Sequence, residues 1–308
     1  MSEDAEKISN WFRDLQNRIT SSLEEADGKE KFREDQWERP GGGGGRSRVI
    51  EQGSVIEKGG VNFSAVFGKT PEFMQQQNNS ARLLSDRFFA SGVSIVIHPQ
   101  NPFVPIIHMN VRYFESADGE SYWFGGGIDL TPHYVNLVDA AFFHGALKQT
   151  CDRHDGTYYP LFKKWADDYF FISHRREMRG IGGIFFDHLK PAKSEEKKEA
   201  IWEFVRDVGN TFVPVYTELI GRNKDREFGE EEKKWQRIRR GRYAEFNLVY
   251  DRGTRFGLET NGRTESILMS LPPVAEWIYD HHPSPGSEEE KTLEFLGKGR
   301  DWINGHIV

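Results

Sequence analysis

A single cysteine, Cys151, stands among 308 residues. One thiol excludes an intrachain disulfide framework and fits a reducing compartment. No apolar run approaches the roughly 20 residues that a membrane-spanning helix needs. Positive charge is also scarce: 41 Lys and Arg face 48 Asp and Glu, a formal net charge of −7. That balance leaves no basic stripe and argues against nucleic acid as a partner, so an anionic ligand must be met by local cations. The first 25 residues include Glu3, Asp4, Glu6, Glu24 and Glu25. A transit peptide is poor in acids and a signal peptide needs an apolar block, so the expected location is the cytoplasm. Internal repeats are missing, and no Pro/Ser-rich linker divides the chain beyond residue 50. Residues 1–308 therefore read as a single domain, although the length alone would allow two.

Aromatic rings are plentiful, with 23 Phe, 10 Tyr and 8 Trp, as suits an interior or cavity lined by flat groups. Within an N-terminal helical segment, 1–35, residues 4–26 carry Ile8, Phe12, Leu15, Ile19 and Leu23 at steps of three and four, the stripe of an amphipathic helix. Gly41 to Gly45 then make 40–47 a Gly-rich loop. Its composition reads first as a flexible linker; the functional alternative is a mobile loop whose N–H groups, with Arg46 and Arg48, meet an anion. Extended segments are predicted over 48–57, 61–67, 93–98, 106–115, 121–129, 182–187 and 252–260, the last followed by an Asn261-Gly262 turn. Helices are predicted over 79–87, 136–151, 158–174, 195–220 and 229–250.

Alternation along two of these strands is the most informative pattern. Ser94, Val96 and His98 share one face of the first, and His108, Asn110 and Arg112 share one face of the second. A solvated sheet face would explain alternation alone, yet Ser, His, Asn and Arg are residue types that bind and transfer protons. Trp123 to Asp129 sets three glycines beside an acid. It lacks the helix-opening GxGxxG of a dinucleotide site; the glycines mark either a strand irregularity or a place where a flat ligand meets backbone. His144 and His174 join His98 and His108 as metal candidates, without the tight spacing of a zinc motif. Asp251-Arg252 and Arg263 offer further charges, which surface ion pairing would equally explain.

The segments GGGGGRSR, KGGVNFS, FVPIIHMNVRYFE, WFGGGIDLTP and FNLVYDRGTRFGLETNGRTESILMSLPP give the chain its resemblance. From about residue 35 to 280 it resembles the oxygen-dependent coproporphyrinogen-III oxidases of haem synthesis. The resemblance implies an α+β fold, with a large, mostly antiparallel seven-stranded sheet sandwiched between helical layers. It implies oxidative decarboxylation of two propionates of coproporphyrinogen III to vinyls, giving protoporphyrinogen IX. Dioxygen would be the co-substrate, with no organic cofactor. It also implies a homodimer, with its interface in the 243–277 region.

By motif position, His108 is the implied proton donor, and Asp129, Asp251 and Arg252 are implied to hold the pyrrole N–H groups and a carboxylate. Ser94, Asn110, Val111, Arg112, Asn261, Gly262 and Arg263 are the implied substrate contacts. His98, His108, His144 and His174 match positions assigned to a divalent metal in part of the family. Ile128 and the Asn-Gly turn before Arg263 depart from the family pattern. A metal-dependent oxygenase and a tetrapyrrole carrier without catalysis are the competing readings.

Overall fold

A computed structural model of the chain describes residues 2–70, 85–119, 121–191, 198–259 and 262–307. The N-terminal apolar stripe folds as α1 (Glu3–Asp27). Ser2 opens it by accepting a hydrogen bond from the Ala5 N–H, and Gly28, at φ 71°, ends it in the left-handed region. Ile8, Phe12, Leu15, Ile19 and Leu23 all turn inward and are at most 3% exposed.

Seven strands follow the order β1-β2-β3-β4-β5-β6-β9 and pair antiparallel throughout. They are β1 (Arg33–Glu38), β2 (Gly43–Glu51), β3 (Ile56–Lys69), β4 (Arg87–Pro99), β5 (Ile106–Ser116), β6 (Tyr122–Thr131) and β9 (Gly182–Leu189). Two short hairpins, β7 (Phe171–Ile172) with β8 (Glu177–Met178) and β10 (Arg300–Asp301) with β11 (His306–Ile307), stand apart. Seven more helices complete the described residues: α2 (Leu137–Asp152), α3 (Tyr158–Tyr169), α4 (Lys198–Asn223), α5 (Glu230–Val249), α6 (Arg252–Glu259), α7 (Thr264–Leu268) and α8 (Glu288–Phe295).

The sheet lies between helical layers. On one face α1, α2 and α4 cover Val61, Val93, Ile95, Ile107, Met109, Val111 and Phe124, in the largest buried cluster among the described residues. Trp202 of α4 meets Phe12 of α1 edge-on at 5.5 Å. The other face is only partly roofed. Tyr243 of α5 packs on Val96 and Ile106, and α7 is tied to β2 and β3 through Ser266.

Three local expectations are corrected. Gly43, Gly44 and Gly45 form no linker: they lie in β2, Gly44 and Gly45 paired with both β1 and β3 and Gly43 with β3. Trp37 lies across Gly45, where a Cβ would strike its indole and the Phe63 carbonyl, so the glycine admits an aromatic ring rather than motion. Residues 252–259 are helical, because Asp251 accepts from the Thr254 N–H at 2.7 Å and its hydroxyl at 2.8 Å and so caps α6. The helix predicted over 158–174 stops at Tyr169; the aromatic run continues into the β7–β8 hairpin, which turns through Arg176 at φ 56°. Residues 79–84 of the helix expected over 79–87 lie outside the described residues, and Arg87 opens β4.

Candidate active site

Sheet register sets the site in three rows. Gly92, Arg112 and Gly125 stand side by side, then Ser94, Asn110 and Gly127, then Val96, His108 and Asp129. Because side chains alternate along a strand, the six side chains in these rows point to the partly roofed face, and the three glycines leave bare backbone between them. Glycine and serine dominate the middle, so backbone rather than long side chains forms the floor.

At one end of the floor lies a charge relay. His108 Nδ1 is 2.7 Å from Asp129 Oδ1, and Arg179 Nη2 donates to Asp129 Oδ2 at 2.6 Å. Arg179 Nη1 donates to Asn247 Oδ1 at 2.9 Å. The Asp129 and Arg179 side chains are each 3% exposed, whereas that of His108 is 23% exposed and faces the floor. Burial pushes the Asp129 carboxyl up, but the Arg179 charge and the His108 bond outweigh it and hold the group below its usual range. An ionised Asp129 requires the proton on His108 Nδ1, which leaves Nε2 for the cleft. Arg179 is wrapped by Phe170, Tyr243 and Phe246, with ring centroids 4.4, 4.6 and 4.7 Å from its guanidinium carbon. Those rings fix the cation against its carboxylate and exclude water from the pair.

At the other end Arg112 Nη2 donates to Asp187 Oδ1 at 2.9 Å and Nη1 to Asn110 Oδ1 at 3.2 Å. Asp251 caps α6 and also accepts from the Tyr169 hydroxyl at 2.8 Å. Tyr169 stacks on Phe185, opposite Gly127, at 4.3 Å. Arg252 is exposed, with its guanidinium 5.7 Å from the Tyr169 ring. On the far flank Arg263 pairs with Asp35 of β1 and reaches the Ser266 hydroxyl at 3.4 Å. Four strand spacings of about 4.8 Å set β1 roughly 19 Å from β5, so Arg263 and Arg112 bracket the floor rather than share it. Gly262 donates its N–H to the Gly257 carbonyl at 2.8 Å; Asn261 lies outside the described residues.

Two groups of expected residues are placed otherwise. Val111 is fully buried on the opposite face, so its side chain cannot touch a ligand on the floor; the odd–even phase of the strand decides this. The four histidines do not converge. His98 Nε2 donates to the Ser270 carbonyl at 2.9 Å. His144 is bound by Tyr159 Oη and the Ile181 carbonyl, both at 3.0 Å. His174 lies at the surface between Tyr250 and Glu245, and His108 is committed to Asp129. Among the described residues no three His, Cys, Asp or Glu side chains gather as a metal site, and the donor set does not fit a metal held by these four.

The family profile described as coproporphyrinogen III oxidase matches residues 7–302. The chain belongs to that family. The oxygen-dependent coproporphyrinogen-III oxidase of Drosophila melanogaster is 53% identical over 283 residues, which cover 89% of this chain and 72% of the relative. The chloroplastic enzyme of that name from Glycine max is 48% identical over 310 residues, 96% and 79% of the two chains. The barley (Hordeum vulgare) chloroplastic enzyme is 47% identical over 315 residues, 97% and 80%. This family member is thus an oxygen-dependent enzyme of haem synthesis. Sequence reasoning passed over Arg179 and Asp187. The signal for Arg179 was a lone cation inside the apolar, glycine-rich run Met178 to Gly183, and for Asp187 an acid ending the strand GGIFFD.

Proposed function

We propose that the polar sheet face binds coproporphyrinogen III and converts two of its propionates to vinyls with dioxygen as oxidant. The observation that carries this reading is the His108–Asp129–Arg179 relay opening onto a glycine and serine floor beside Arg112. A flat ring can lie on that floor, and guanidinium groups at its margins meet carboxylate arms. For each arm, R–CH2CH2–COO⁻, O2 and H⁺ give R–CH=CH2, CO2 and H2O2: the arm loses two electrons and dioxygen gains them. His108 Nε2 is the atom that gives a proton to reduced dioxygen or takes one from the reacting arm, while Asp129 holds its orientation. Both Asp129 oxygens are occupied, so its effect on the ring passes through His108; Asp251 is the acid that faces the Tyr169–Phe185 wall. Ser94 and Asn110 supply polar contacts from the floor, Arg252 and Arg263 from its edges. No step is routed through a metal.

The test is product chromatography after the pure, chelator-treated protein meets reduced substrate with and without air. Protoporphyrinogen IX formed only in air is expected. Identical aerobic and anaerobic samples would leave a carrier, and activity that returned only with added metal would restore the metal-dependent reading.

A homodimer is part of the same proposal. Within 243–277, Tyr243 and Phe246 are buried, while the large apolar side chains of Leu248, Val249, Leu258, Val274 and Trp277 are 43 to 55% exposed, surface that a second copy of the chain would cover. Sedimentation equilibrium is expected to give a dimer that Leu248→Asp with Val274→Asp dissociates; a wild-type monomer would remove this part. The buried free thiol of Cys151 supports a reducing compartment such as the cytoplasm, which fractionation of tagged protein tests.

A further inference from the structure

Between β6 and β9 the register slips. Phe124 pairs with Leu189 and Gly126 with Phe186, so Gly125 alone stands opposite both Asp187 and His188. A two-against-one bulge bends its strand and re-aims the side chains at that point. His188 has φ 50°, a left-handed conformation uncommon for a residue with a Cβ and held only where surrounding structure over-determines it.

The bulge has a visible result. Asp187 Oδ1 turns onto the polar face and accepts from Arg112 Nη2 and from the His188 N–H, each at 2.9 Å. The His188 ring stacks on Trp123 with centroids 4.5 Å apart and planes 30° apart, and its Nδ1 is 3.5 Å from Asp187. Arg112 sits 5.6 Å from the same indole. Gly125 is a condition for this packing, since a Cβ there would come within 2.7 Å of Arg112 Nε and 2.8 Å of Asp187 Oδ1. Burial raises the Asp187 carboxyl, but His188 and Arg112 hold it well below the usual carboxylate range. An ionised Asp187 fixes the direction of the Arg112 guanidinium and cancels its charge. A second donor is then needed for an anion, and the His188 side chain, 68% exposed, stands beside it.

We propose that the Asp187–His188 bulge builds a subsite for one carboxylate arm of the substrate, with Asp187 positioning Arg112 and the His188 imidazole donating to the arm. This assignment rests on the reading of the polar face as the binding surface for a tetracarboxylate ring. His188 is the specificity-determining residue and Asp187 the positioning one.

Steady-state kinetics of the full chain with coproporphyrinogen III, comparing wild type, His188→Gly and His188→Asn, test it. Glycine keeps the left-handed backbone without strain and removes the donor; asparagine tolerates the same backbone and keeps an N–H. The expected result is a KM raised about tenfold by glycine, from loss of a hydrogen bond to a charged group, with kcat within about twofold. His188→Asn is expected to recover most of that loss. An unchanged KM in His188→Gly, with wild-type turnover intact, overturns the subsite and leaves the reading of the face standing. Equal losses of kcat and thermal stability in both variants also overturn it, as the mark of a structural role. A wild type that fails to convert the substrate in air removes the underlying reading itself.

Discussion

Along β5 successive side chains enter two environments only a strand's thickness apart. Ile107, Met109, Val111 and Tyr113 are at most 1% exposed against α1, α2 and α4, whereas His108, Asn110 and Arg112 stay reachable on the other side. The apolar face draws its stability from burial, about 1.5–3 kcal/mol for each large side chain removed from water. The polar face draws little from that source, because glycines and serines replace the residues that would fill it. Its order comes instead from paired charges: Arg179 with Asp129, Arg112 with Asp187 and Arg263 with Asp35. One sheet thus separates holding the molecule together from presenting chemistry, and the two roles can be attacked one at a time.

The largest effect is expected on the polar side. His108→Gln keeps a hydrogen-bond donor near Asp129 but removes the group that gives or takes a proton, and kcat is expected to fall about 10²–10⁴-fold. KM and the thermal midpoint are expected to stay close to wild type. A collapse in midpoint would show that the two faces are not separable at this strand. The reciprocal substitution is Ile95→Ala, fully buried on the opposite face. It is expected to cost about 2–5 kcal/mol of unfolding free energy in urea titration, from lost transfer energy and the cavity left behind. KM for substrate is expected to hold, and a large rise would mean that the floor bends with the core.

The same separation decides what could be read before the fold was known. Strand phase at 93–98 and 106–115 was legible, because a period of two puts Ser94, His108, Asn110 and Arg112 on one side whatever the tertiary context. The α1 stripe was legible for the analogous helical reason. The glycine run was not, since entropy argues for a linker and only the Trp37 ring lying on Gly45 explains a strand there. Residues 252–259 offered apolar and charged residues without a clear period; the deciding feature was the cap Asp251-x-x-Thr254, two local bonds outweighing strand propensity. Arg179 and Asp187 escaped because their meaning is relational. Each acts on a partner about 50 to 75 positions away in the chain, Asp129 and Arg112, and spacing along the sequence carries no trace of such pairs.

Histidines give the comparison its finest test. His108 opens to the floor, whereas His98 and His144 are fully buried. Burial lowers the pKa of His144 to about 3 and that of His98 well below its usual value, with the Arg240 charge adding to the effect at His98. An unfolded histidine titrates near 6.5. Below that pH the unfolded chain binds protons that these two groups refuse in the native state, so unfolding free energy falls as pH falls. Each such histidine contributes stability that is full above pH 6.5 and is lost as pH falls toward the native value, at a slope that approaches about 1.4 kcal/mol per pH unit below 6.5. Asp129 and Asp187, held low in the fold, add the same sign of dependence only below about pH 4, where unfolded carboxylates begin to protonate. Between pH 6.5 and 5 the buried histidines therefore dominate this pair of contributions. Urea midpoints measured across that window are expected to fall in wild type and to fall less steeply in His144→Gln, by one proton's worth of slope. Equal slopes for wild type and His144→Gln would mean that water reaches His144, and the contrast between a sealed side and an open one would fail at that residue.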